Sequence, residues 1–107
     1  MADIFISYSS HDRERVRPIA EAFEQRGWDI WWDRDIGVGE PYNQAIAAEI
    51  AGAKCVLVLW SPQSAKSNWV YEEAAKGRDR GILVPALIEA TEIPMGFGLL
   101  QAADLTD

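Results

Sequence analysis

The chain reads as an open α/β sandwich, a parallel sheet with helices on both faces. Strand-like and helix-like segments alternate along it, and parallel strands need such a crossover between them. CVLVLW, residues 55–60, is apolar at every position, as a strand buried on both faces must be. The 107 residues, 49% hydrophobic and 25% charged, suit one domain around a single core.

DIFISY, residues 3–8, is an apolar run closing on small polar residues, a first strand. Val16, Ile19, Ala20 and Phe23 then recur at helical spacing until Gly27 stops them. Pro18 falls inside that pattern, so either the first turn begins late or the helix is kinked there. WDIWW gives a second strand ending at Asp33. The glycines and proline of RDIGVGEPY mark a loop, and Ala45, Ile46, Ile50 and Ala51 predict a short second helix. CVLVLW is the third strand. SPQSAKSN turns into a helix from about Ser67 to Arg80. GILVPALI is a fourth strand whose Pro85, lacking a ladder amide, favours the strand's end or a sheet edge. ADLTD closes as a short fifth strand.

The predicted whole is a flavodoxin-like three-layer sandwich with strand order 2-1-3-4-5, a single domain over residues 1–107. The helix that normally covers the last strand is missing. Asp107 therefore reads as a cut, and the domain as the N-terminal part of a longer protein.

A formal net charge of -7, with neither sign in a long block, argues against a nucleic-acid or anionic-membrane surface. No run approaches the roughly 20 apolar residues of a membrane span, and the N-terminus lacks a secretory pattern. A cytoplasmic protein is expected. Cys55, the single cysteine, excludes an internal disulfide; with His11 the single histidine, no zinc ligand set exists. Inside CVLVLW, Cys55 reads as a small buried hydrophobe.

In sheets of this order ligands bind beyond the carboxyl ends of the strands, where the order reverses between strands one and three. Residues 7–12 and 61–67 converge there, near the end of strand two. Ser7, Ser9, Ser10 and Ser64 thus belong to the rim, although capping the next helix would explain at least one serine without a ligand. Trp69 and Glu73 are four apart and share a helix face, while Val70, Ala74 and Gly77 form the face that packs on the sheet. Glu72 sits four before Lys76 and reads as half of an exposed ion pair. By pattern alone Glu73 is either a solvated surface residue or a working carboxylate.

Familiar nucleotide sites do not fit. GVG, residues 37–39, follows the second strand and lacks the third glycine of a dinucleotide fingerprint. Strand three ends in Trp60 and Ser61 where a phosphate-accepting regulatory domain would carry a carboxylate, and SYSSHD has no glycine for a flavodoxin phosphate loop. One histidine assembles no nucleophilic triad.

FISYSSHD, DRDIGVGEPY and VLVLWSPQSAKSNW followed by Glu73, in this order and spacing, resemble a Toll/interleukin receptor (TIR) domain of the bacterial type, from Asp3 to about Ile88. The resemblance implies cleavage of NAD+ between nicotinamide and ribose, with NAD+ as substrate and no cofactor. It makes Glu73, four residues after the tryptophan of the Ser-x-Trp motif, the catalytic carboxylate. Trp69 would wall the nicotinamide or ribose, with Phe5 and Tyr8 as further candidates; for Phe5, core packing is an equal alternative. Ser7, Ser9, Ser10 and Ser64 would hydrogen-bond substrate. Arg34 would either meet the pyrophosphate or pair with a neighbouring acid. Trp31 and Trp32 point to opposite faces, one core and the other, taken as Trp32, reaching the pocket rim.

The resemblance further implies that the loop of Asp35, Ile36, Gly37, Val38, Gly39 and Tyr42 mediates self-association, and that a C-terminal sensor domain triggers the enzyme in bacterial defence or signalling. Val70 stands where many relatives have cysteine, and Val38 where a proline is often seen. The alternative is a non-catalytic TIR adaptor that joins other TIR domains and turns over nothing.

Overall fold

The computed structural model describes residues 3–32, 42–93 and 103–104, with backbone alone for 42–45 and 103–104. Five strands, β1 (Ile4–Ser7), β2 (Ile30–Trp31), β3 (Cys55–Trp60), β4 (Leu83–Leu87) and β5 (Ala103–Asp104), form one sheet in the order β2-β1-β3-β4-β5. Every pairing is parallel, with Phe5 opposite Trp31 and Val56. The fold is the α/β sandwich that the alternation of segments predicts.

Among the described residues three α-helices cover the sheet: α1 (Arg13–Gln25), α2 (Tyr42–Gly52) and α3 (Asn68–Asp79). Alternation along β1 and β3 sorts the core in two. Phe5, Val56, Val58 and Trp60 face α2 and α3, packing against Ile46, Ile50, Val70 and Ala74. Ile4, Ile6, Tyr8, Leu57 and Leu59 face α1, packing against Val16 and Ala20.

Helix ends follow local chemistry. The Ser67 hydroxyl accepts from the Val70 amide and caps α3, whose early start is thereby fixed. α1 and α3 each stop at a glycine in the left-handed region, Gly27 at φ 88° and Gly81 at φ 73°, where a side chain would be strained. α1 runs through Pro18, so the late-start alternative does not hold; Pro18 lies on the exposed side.

One strand differs from expectation. β2 is only Ile30–Trp31, because the chain leaving α1 places Trp28 outside, its ring stacked on Phe23 at 5.5 Å. Pro85 occupies the middle of β4, opposite Val58; pairing with β5 starts at Ala86, so β4 is an edge at the proline among the described residues. No described helix is long and apolar enough to cross a membrane.

Candidate functional site

α3 lies unusually close to the sheet. A Cβ at Gly77 would stand 2.8 Å from Val56 Cβ, so only glycine permits this approach. One turn earlier on the helix, Glu73 is carried inward to the carboxyl end of β1. Its carboxylate is 2% exposed, and Ser7 Oγ, itself fully buried, donates to Glu73 Oε1 at 2.8 Å. Neither the solvated reading of Glu73 nor a core of hydrocarbon alone describes this place.

Glu73 forms part of the lining of a cleft of about 410 Å³ between α2 and α3. Ile46, Ala47 and Ile50 make one wall; Trp69, Glu72, Glu73 and Lys76 make the other. Trp69 is 51% exposed, an indole standing above a buried carboxylate at the mouth of the cleft. The expected ion pair between Glu72 and Lys76 is absent among the described residues, and both side chains border the cleft instead. The Arg80 guanidinium donates to the carbonyls of Ile50 and, at 3.0 Å, Ala53, tying the end of α2 to the end of α3. Both cleft walls are thus fixed to one another at their base.

The rim is held by a second polar cluster. The Ser61 hydroxyl donates to Asp12 Oδ2, which is buried beneath the segment after β1. Ser64 Oγ donates to the Leu59 carbonyl at 2.9 Å and accepts from the Ser61 amide at 2.7 Å. Ser64 is fully buried and serves the turn after β3. Sequence reasoning passed over Asp12 and Ser61, although a buried acid paired with a serine across two rim segments is what the convergence of those segments allows.

The other predicted residues divide by face. Phe5 is buried on the α3 side and stacks on Trp31 at 5.0 Å. Tyr8 and Trp32 are buried on the α1 side, away from Glu73: the Tyr8 hydroxyl donates to the Trp32 carbonyl at 2.7 Å, and the Arg13 and Arg17 guanidinium groups lie 5.4 and 5.8 Å from the Trp32 ring centre. Ser9 accepts from the His11 amide at 3.3 Å and caps the short turn before α1; Ser10 and His11 are exposed. Arg34, Asp35, Ile36, Gly37, Val38 and Gly39 fall outside the described residues, as does the side chain of Tyr42. Cys55 is half-buried, not the fully buried hydrophobe expected at the first position of β3, and desolvation pushes its thiol above its ordinary pKa.

Chemically, a buried carboxylate facing a mostly apolar cleft with an indole at its mouth suits a flat cationic ring joined to a polar group. The likeness to known proteins is consistent in fold. Over its full length the chain matches the TIR domain of the Toll-related receptor TRR-2 from Hydra magnipapillata, with TM-score 0.90, 24% identity and 86% of that chain covered. It matches 98% of its length to a metazoan TIR-STING receptor from C. gigas, with TM-score 0.81, 27% identity and 35% of that chain covered.

Among sequences, it is 33% identical over 73 residues to a 2' cyclic ADP-D-ribose synthase of Bacteroides thetaiotaomicron, and 36% identical over 73 residues to one of Acinetobacter baumannii. These alignments take in 66% of this chain and 25% and 27% of those proteins, so the chain spans about a quarter of the curated relatives it matches. The family model described as TIR domain matches residues 4–107, the whole sandwich from β1 onward. Fold, strand order and sequence agree: the chain belongs to the TIR domain family.

Proposed function

We propose that this domain cleaves NAD+ between nicotinamide and ribose, with Glu73 as the catalytic carboxylate. One observation carries the reading: Glu73 is buried where it borders a cleft that an exposed tryptophan, Trp69, also lines. The distant relationship to cyclic ADP-D-ribose synthases supports it, since a cyclic ADP-ribose is what NAD+ leaves behind when nicotinamide departs and the sugar closes on itself.

Ordinary glycosides need a second carboxyl group to protonate the leaving oxygen. Nicotinamide in NAD+ is already cationic and leaves neutral, taking the electron pair of the C1'–N bond, so one carboxylate suffices. Positive charge then grows on the ribose C1' and ring oxygen. Glu73, anionic and held in a region of low dielectric, stabilises that charge more than water would. Capture of C1' by water gives ADP-ribose and one proton; capture by a hydroxyl of the same molecule gives a cyclic product and one proton. The names of the bacterial relatives favour the second outcome.

In this reading Trp69 stacks on the nicotinamide or ribose, and Phe5 lies behind the carboxylate as packing. Arg34 meets the pyrophosphate, and the segment containing residues 35–42 brings a second TIR domain alongside, so the rate per molecule rises with protein concentration. The test is release of nicotinamide from NAD+ by concentrated protein, compared with Glu73→Gln. Loss of roughly 10²–10³ in turnover with an unchanged melting temperature is expected. Turnover by Glu73→Gln at the parent rate overturns the assignment, and absence of turnover in the full-length, assembled protein favours the adaptor.

A further inference from the structure

Resting on that reading, we infer that Ser7 is a positioning residue for the Glu73 carboxylate, acting through its hydroxyl and not by touching substrate. The two residues lie 66 positions apart and meet because Ser7 ends the interior strand β1, between β2 and β3, while Gly77 lets α3 settle onto the sheet. Ser7 is fully buried and alternates with Ile6 and Tyr8, so its side chain points to the α3 face along with Phe5.

A buried glutamate with three rotatable bonds has two ways to relieve its desolvation. It can take up a proton, or it can swing out toward water. Either would disable a group whose task is to present negative charge at one point. A hydroxyl donating at 2.8 Å opposes both: it favours the ionised form and fixes Oε1, and with it the plane of the carboxylate at the cleft floor. Serine suits the position because its oxygen sits one bond from Cβ, on a strand that cannot move.

The sequence gives Ser7 a different expected role, contact with ribose or phosphate. Full burial and an oxygen already engaged with Glu73 argue for the indirect one.

The two roles separate in measurement. Ser7→Ala removes the donor and little volume, and Ser7→Cys keeps a weak donor of similar shape. Removing the donor weakens the hold on the ionised carboxylate, so the acid limb of the pH profile for NAD+ cleavage moves to higher pH in Ser7→Ala, with Ser7→Cys between. Turnover at neutral pH falls roughly tenfold with KM nearly unchanged, because substrate contact is not what is lost. Carbon-13 NMR titration of the Glu73 carboxyl, following the same shift without substrate, keeps the result independent of the NAD+ assignment. A Glu73 titration in folded Ser7→Ala that coincides with the parent overturns the inference, as does a rise in KM alone. If the carboxyl shifts while no protein turns over NAD+, the proposed function fails and the Ser7–Glu73 relation stands.

Discussion

The two faces of this sheet are built from the same strands by the same alternation, yet they use their buried polar groups differently. On the α1 face, near the carboxyl end of β1, the Tyr8 hydroxyl donates to the Trp32 carbonyl, and two guanidinium groups lie over the Trp32 ring. On the α3 face the equivalent depth holds Ser7 and Glu73, a charge-assisted pair at the floor of a cleft. Both arrangements satisfy buried polar groups, as they must. The difference is that an aromatic cluster closes its space, whereas a carboxylate beneath a helix edge keeps one side toward a cavity. Side-chain identity at Ser7 and Tyr8 therefore sets which of these arrangements each face receives.

The comparison breaks most sharply at Gly77. Gly77→Ala improves helix propensity by up to about 1 kcal/mol, yet places a methyl against Val56 Cβ, which is anchored to the strand, for a packing cost of roughly 1–3 kcal/mol. The clash wins. α3 must lift, and Glu73 moves with it, away from Ser7. Turnover of NAD+ should fall by about 10²-fold while the melting temperature falls only a few degrees; an alanine variant with parent turnover would show that the close approach has no bearing on the carboxylate.

A matched pair of valines sharpens the contrast. Val16 on α1 and Val70 on α3 are both fully buried, each in its own half of the core. Val16→Ala and Val70→Ala should each cost about 2 kcal/mol, by lost burial and the space left behind. Chemical denaturation should find them alike. Turnover below the melting transition should not: Val70→Ala loosens the helix that carries Glu73 and should lower it severalfold, while Val16→Ala should leave it near the parent value. Equal losses of turnover would mean that the two faces are coupled more tightly than the separate clusters indicate.

Much of the frame was legible before any coordinates. Gly27 stops α1 as expected, α3 runs within a residue of the expected Ser67 to Arg80, and CVLVLW is β3 to the residue. Periodicity reports neighbours three and four apart and strand pairs of similar character, and these elements depend on nothing else. Glu73 shows where that ends. At about 100° per residue it lies some 60° from Val70 and 40° from Gly77, on the border between the buried stripe and the flank of Trp69 and Lys76. A residue on the border goes inward only if something there accepts it, and Ser7, 66 positions away, leaves no trace in local pattern. The same limit applied to Glu72 and Lys76, whose spacing suggested a pair and whose side chains border the cleft. For Trp31 and Trp32 alternation gives opposite faces, as the structure has them, but not which face would hold the cavity.

The smallest expected effect belongs to the opposite end of the sheet, at Asp3. Its carboxylate accepts from the Asp29 amide at 3.0 Å and lies 3.3 Å from Lys54 Nζ, linking the amino ends of β1, β2 and β3. The amide and then the lysine hold its pKa below the ordinary 3.8. A carboxylate whose pKa is lower folded than unfolded adds stability at neutral pH and loses it as pH falls below 3.8 through the folded value. The group is solvent-screened, so the contribution is slight. Asp3→Asn keeps an acceptor for the Asp29 amide and removes the charge; Asp3→Ala removes both. Thermal melting at pH 7 should order them parent, Asn, Ala with small steps, and the parent–Asn step should vanish in strong acid, where Asp3 is neutral in either state. Turnover should be unchanged in both, because the link lies across the sheet from the cleft. A loss of turnover comparable with that of Val70→Ala would show that strand alignment at the amino end reaches Ser7, and that the reactive face is set by the whole of β1 and not by its last residues.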